Sequence, residues 1–214
     1  MRSAFDSFLQ VFAALFPVIN PPGMALLFLA MTRGSSRDRR AALARRIAIY
    51  SLLVIGVAYF IGKFILVFFG ISLPVLRVAG GLVLASAGWR LLHETRTGGE
   101  TDVDVGGASG DLARLAFYPL TMPITTGPGT ISVAIALGAS QSVTIRVMLG
   151  VLAAGVTIAA IIYLCYRYAD RIEGALGQTG SEAFSRLFAF LLICIGVQIL
   201  WDGFSVLWTS LPAK

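Results

Sequence analysis

Of 214 residues, 57% are apolar and only 13% charged, with a mean hydropathy of +0.84. Soluble globular chains carry roughly 25% charged residues, so the composition excludes a soluble domain and points to an integral membrane protein. Its long apolar runs favour a helical bundle over the alternating strands of about ten residues that build outer-membrane barrels. The formal charge of +6 comes from arginines set beside apolar runs, where they read as topology signals and anionic-lipid contacts; no basic face with interleaved aromatics suggests nucleic acid.

The first apolar segment, residues 4–31, would be about 40 Å long as one straight helix, more than a bilayer requires, an excess that a broken helix or a re-entrant hairpin explains. It is interrupted by Phe16-Pro17-Val18-Ile19-Asn20-Pro21-Pro22-Gly23. Each proline removes a backbone donor and pushes the preceding residue out of the helical region, so the backbone must open near Asn20. Opened backbone at membrane depth is tolerated only inside protein or along a wet cavity. The N-terminus has Arg2 before this run, like a signal peptide, but the run continues through Leu26 and Leu27 and is expected to be retained.

Arg33, Arg37, Arg39, Arg40, Arg45 and Arg46 follow against a single Asp38, marking a cytoplasmic loop over residues 32–46. A second span is expected over 47–69, with Lys63 snorkelling near its far end. A third, over 73–92, carries Gly80, Gly81, Ala85 and Gly88, a small-residue face for close helix packing. Residues 93–114 are rich in glycine and acids without apolar periodicity and read as a flexible cytoplasmic linker; their acids do not have EF-hand spacing. His93 reads as a solvated juxtamembrane residue, and no metal site or cofactor is implied.

The fourth apolar segment, 115–139, contains a second break, Tyr118-Pro119-Leu120-Thr121-Met122-Pro123-Ile124-Thr125-Thr126-Gly127-Pro128-Gly129-Thr130. A fifth span covers 147–166, a charged loop 167–186, and a sixth span 187–207, with Gln198 and Asp202 toward its exit. Cys165 and Cys194, within apolar runs, read as small buried hydrophobes.

A shift of 106 residues superposes Pro17 on Pro123, Asn20 on Thr126, Pro22 on Pro128 and Gly23 on Gly129; a shift of 109 puts Arg77 on Arg186. The fold expected is an all-α bundle of six spans built as two three-helix repeats, residues 1–92 and 115–214, the first helix of each being broken. Three spans per half invert the second repeat. The loop charges reverse accordingly: six arginines follow the first break, and only Arg146 follows the second. The charge bias places both termini outside and the three loops at 33–46, 94–114 and 167–186 in the cytoplasm.

At these residues the chain resembles the MarC family of multi-spanning prokaryotic membrane proteins, grouped with LysE-type exporters and including proteins described as small neutral amino acid transporters. The resemblance rests on Phe16 to Pro21 with Gly23, on Pro119 to Pro123 with Gly127-Pro128-Gly129, and on Gln198 to Gly203. It implies a six-span protein of the plasma (inner) membrane and, at one remove, an amino acid as cargo.

Paired broken helices also point to a transport site on their own account. The half-helices starting near Pro22 and Pro128 would offer unpaired backbone donors to a carboxylate, with Asn20 capping the first and Thr126 the second. The candidate substrate-binding residues are Asn20, Pro21, Gly23, Thr125, Thr126, Gly127, Gly129 and Thr130, the glycines keeping the site small. Asp202 with Gln198 is the candidate for ion coupling. The expected partners are the lipid bilayer, a small neutral amino acid and further copies of the chain. The alternatives are a non-transporting membrane scaffold or assembly factor using the small-residue faces, and an ion transporter. No nucleophile–base pair or metal motif suggests an enzyme.

Overall fold

The computed structural model describes residues 3–32, 34–93, 112–141 and 144–210. In chain order the helices are α1 (Ala4–Ile19), α2 (Pro21–Met31), α3 (Arg37–Phe68), α4 (Leu73–His93) and α5 (Leu112–Leu115). An irregular π-helical segment, Ala116–Thr125, leads to α6 (Pro128–Ser140), α7 (Ile145–Arg167) and α8 (Ala169–Thr209). Among the described residues, five helical stretches are long and apolar enough to cross a membrane, and the bent pair Leu112–Thr125 and Pro128–Ser140 makes a sixth when taken as one span. Most of the predicted linker, residues 94–111, lies outside the described residues.

Helix boundaries follow local chemistry. Ser3 opens α1 with a reciprocal capping box, its hydroxyl accepting from the Asp6 amide while the Asp6 carboxylate accepts from the Ser3 amide, both at 3.0 Å. Ser36 and Thr144 cap α3 and α7 in the simpler manner. Two regions predicted as loops are helical. The basic stretch becomes helix from Arg37 onward, since Ser36 supplies a cap and the residues after it are good helix formers. The charged stretch after Arg167 turns only at Tyr168 and then continues as α8, broken at Gly177, whose φ of +65° suits glycine.

Close backbone approaches set the direction of packing. Helix α4 runs antiparallel to α8: Gly81 meets the Gly196 carbonyl, Gly88 the Ala189 carbonyl, and Gly203 the Pro74 carbonyl. A Cβ at Gly81 would fall 2.5 Å from that carbonyl oxygen, so the predicted small-residue face is the α4–α8 seam. Helix α6 runs antiparallel to α4, with Ser132 at Gly80 and Gly129 at Leu84, and meets α3 at Gly62–Ile135 and Tyr59–Gly138. The α1–α2 pair runs parallel to α7, from Ala4 at Gly150 to Phe28 stacked on Tyr166 at 4.8 Å.

These contacts gather the starts of α1, α4 and α7 and the ends of α3, α6 and α8 at one end of the bundle, here the near end. The far end holds the α2–α3 connection, His93 and the α7–α8 turn. There Arg40 donates to both carboxylate oxygens of Asp170, at 2.9 and 3.0 Å, tying together two of the regions expected to share a membrane face. The core runs along α1–α2, α3, α6 and α7, whereas α4 and α8 bury less of themselves, leaving Leu82, Trp89, Phe190, Val197 and Trp201 outward. Cys194 is exposed on α8, correcting its expected burial, and Cys165 is half-buried; both are free thiols.

Candidate functional site

The two breaks are unlike each other. In the first, Pro17 is accommodated within α1, so the opening narrows to one residue. Asn20 adopts the left-handed conformation (φ 48°, ψ 59°) and serves at once as the end of α1 and the start of α2. Asparagine is among the few residues that tolerate this region. Its amide donates to the Phe16 carbonyl at 2.9 Å, its carbonyl accepts from Met24 at 3.0 Å, and its side-chain oxygen accepts from the Gly23 amide at 3.2 Å. The prediction that Asn20 caps α2 holds, and Pro21 and Pro22 occupy the first turn, where no donor is missed. The backbone opens without a large turn, and Ala4–Met31 stays one 28-residue span.

The second break is wider. Tyr118 and Met122, each preceding a proline, are extended (φ/ψ −127°/125° and −110°/124°), and the chain bends by 71° before α6. Three threonine hydroxyls repair the opened backbone, each reaching a carbonyl five residues back: Thr121 to Ala116 at 2.6 Å, Thr125 to Leu120 at 2.7 Å and Thr126 to Thr121 at 3.2 Å. All three threonines are buried. The expectation that Thr126 caps α6 is therefore corrected: its hydroxyl turns back to Thr121, and the N-cap position of α6 is Gly127, with no side-chain cap.

The glycines of both breaks sit hard against neighbouring atoms. A Cβ on Gly23 would collide with the Asn20 carboxamide, on Gly127 it would lie 2.6 Å from the Pro123 carbonyl, and on Gly129 3.0 Å from Leu84. They make room for the breaks themselves and for packing. Thr130 is buried in the first turn of α6. No hydrogen bond joins Asn20 to Thr125, Thr126 or Thr130; the two regions communicate through Tyr166, which stacks on Phe28 of α2 and shares a 2.8 Å hydrogen bond with the Thr125 hydroxyl. Thr121 and Tyr166 were not among the predicted site residues. Thr121 lies inside the motif, but Tyr166 is at a span end and only the fold brings it inward.

A cavity of about 290 Å³ lies between α1, α4, α6 and α8, toward the near end of the bundle. Its polar lining comprises Gln10, Arg77, Ser132, Ser140 and Asp202. The coupling candidates enter here: Gln198 donates to Asp202 at 2.8 Å, and both are exposed near the end of α8. Beside it, Tyr59 donates to Gln141, which donates to Gln10, at 3.0 and 3.1 Å, closing the α6 end against α1 and α3. Polar residues inside apolar runs, such as Gln10 and Ser132, were the available sequence signal for this cavity.

The chain's likenesses agree with the helical fold. The profile described as "MarC family integral membrane protein" matches residues 5–208. The UPF0056 inner membrane protein MarC of Salmonella typhimurium is 34% identical over 204 residues, covering 88% of this chain and 90% of the relative. The protein of the same name from Escherichia coli O157:H7 is 35% identical over 202 residues with the same coverage. No solved structure matches the chain. With nearly its whole length matched, and with the paired proline–glycine motifs inside the matched region, the chain belongs to the MarC family of integral membrane proteins.

Proposed function

We propose that the protein is a secondary transporter that moves a small neutral amino acid across the plasma membrane by alternating access around its two broken segments. The observation that carries this reading is that both backbone openings are buried within protein: Asn20, Thr121, Thr125 and Thr126 are each at most 2% exposed. Opened backbone costs several kcal/mol per unsatisfied group in lipid, of order 2–7; keeping two such openings in one core is economical where they form part of a moving site. Uncapped amide donors at the start of α6 and the dipole of that helix favour a carboxylate there.

The halves 1–92 and 115–214 act in this reading as inverted repeats. Support comes from the exchange of partners between them: α4 packs on α6 while α8 packs on α2, and α3 meets α6 while α7 meets α2. Alternating access then consists of one half rocking against the other, with both chain termini outside the cell and the Arg40–Asp170 end in the cytoplasm.

The test is flux of labelled alanine, glycine and serine in liposomes containing purified protein. Wild type is expected to move at least one of them, with Asn20→Ala and Thr126→Val strongly slowed. Absence of flux for all three in correctly folded protein refutes the reading.

A further inference from the structure

The near-end cavity has a charge pattern that the breaks lack. Arg77, one turn into α4, is half-buried and, among the described residues, makes no ion pair. Asp202 lines the same cavity from α8, and among the described residues its carboxylate is engaged only by the neutral Gln198. The close fit of Gly203 against Pro74 and Arg77 keeps the two helices at this level, where a Cβ on Gly203 would lie 2.6 Å from the Pro74 carbonyl oxygen and 2.8 Å from the Arg77 Cβ. One lasting cation and one carboxylate thus face a common space without pairing.

The rest of the lining limits what can enter. Val133, Ala136, Leu137 and Ile199 form apolar walls, and at about 290 Å³ the volume is at the bottom of the roughly 300–1,000 Å³ range usual for small-molecule sites. A simple anion would be opposed by Asp202 and a simple cation by Arg77. A lone carboxylate beside an arginine also makes a poor divalent-metal site. A ligand with both charges and little else matches all three constraints.

The cavity continues toward the second break. Ser132 lines it from α6 and is 2% exposed, and its hydroxyl donates to the carbonyl of Gly129 at 3.0 Å, within the first turn after the break. The Gln10–Gln141–Tyr59 chain borders it, and Gln10 lines it directly.

We propose that this cavity is a vestibular binding site for a small zwitterion, an α-amino acid with a short uncharged side chain, whose carboxylate meets Arg77 and whose ammonium meets Asp202. The identity of the ligand rests on the transport reading above; the site does not, because it lies at residues outside either break. Arginine is suited to the carboxylate because its planar fork forms two parallel hydrogen bonds. In transport, the vestibule would concentrate cargo above Ser132 and Gly129.

The experiment measures thermal stabilisation of the purified full chain by L-alanine, by propionate, which lacks the ammonium, and by alaninamide, which lacks the carboxylate. Wild type is expected to respond to alanine far more than to either analogue. Arg77→Gln and Asp202→Asn should each weaken the alanine response about tenfold or more, with Arg77→Lys in between. Arg40→Gln, at the far end of the bundle and outside the cavity, should keep it. Equal stabilisation by all three probes, no stabilisation by alanine, or an unchanged response in folded Arg77→Gln would overturn the proposal. The same variants in the flux assay separate the two readings. Arg77-dependent binding without flux in wild type retains the vestibule and rejects transport. Asn20-dependent flux with wild-type behaviour of Arg77→Gln does the reverse.

Discussion

Asn20 and Gly23 act as one unit. The left-handed backbone at Asn20 lets α1 stop and α2 start within a single residue, and the carboxamide closes over Gly23 because no Cβ stands there. Asn20→Ala loses both the cap and the tolerated conformation, at an expected cost of about 1–2 kcal/mol in thermal or denaturant unfolding in detergent. Asn20→Gly should cost less, since glycine accepts the backbone angles. Gly23→Ala is expected to destabilise wild type, yet to be nearly neutral in the Asn20→Gly background, where the colliding side chain is gone. A double-mutant cycle reads this directly: additive effects would show that the two positions are not coupled in this way. The sequence disclosed the break and its cap. It did not disclose that Pro17 could stay inside α1, because a proline's cost depends on whether neighbours satisfy the freed carbonyl.

Among the helices, the α4–α8 seam depends on glycine for contact, whereas Gly56 of α3 faces open space. Gly81 and Gly196 bring the two backbones together, with a Cβ at either position falling within 2.5–2.7 Å of backbone atoms across the seam. In a bilayer, helices associate by such packing and by hydrogen bonds, since lipid is as apolar as leucine. Gly81→Ala should therefore destabilise by about 1–3 kcal/mol. Gly56, inside α3, has open space where a Cβ would stand, with no neighbouring atom within 4 Å, and Gly56→Ala should stabilise by about 0.4–1 kcal/mol by restricting the unfolded chain. Comparing the two melting temperatures checks the assignment; equal shifts would contradict the seam. The small-residue face on the third span was readable from Gly81 and Ala85 alone, while its partner, Gly196 on α8, was not, because spacing within a helix does not name the helix opposite. The same limit explains Thr126: its spacing from Pro128 suited a cap, but the bend upstream offered its hydroxyl the Thr121 carbonyl instead.

Across the whole molecule, the Arg40–Asp170 pair joins segments 130 residues apart at one end of the bundle. The pair is partly exposed and adds little stability, typically about 0–1 kcal/mol, but it fixes a distance. Arg40→Cys with Asp170→Cys, in a chain with Cys165 and Cys194 replaced by alanine, should be joined efficiently by a short bifunctional thiol reagent. A control pairing Arg40→Cys with Ser140→Cys, at opposite ends of the bundle, should not. Crosslinking of the control alone would overturn the directions assigned to the helices.

Sequence alone determined that this protein lives in a membrane as a helical bundle, that two of its segments are broken, and close to where. Apolar length, proline and glycine are local properties, and the bilayer gives them few alternative outcomes. Tertiary structure alone decided that the breaks differ in shape, that threonine hydroxyls repair the second, and that Arg77, Ser132 and Asp202 line one cavity. Those outcomes depend on which helices meet, and hydroxyls and charges choose partners by distance in space, which spacing along the chain does not record.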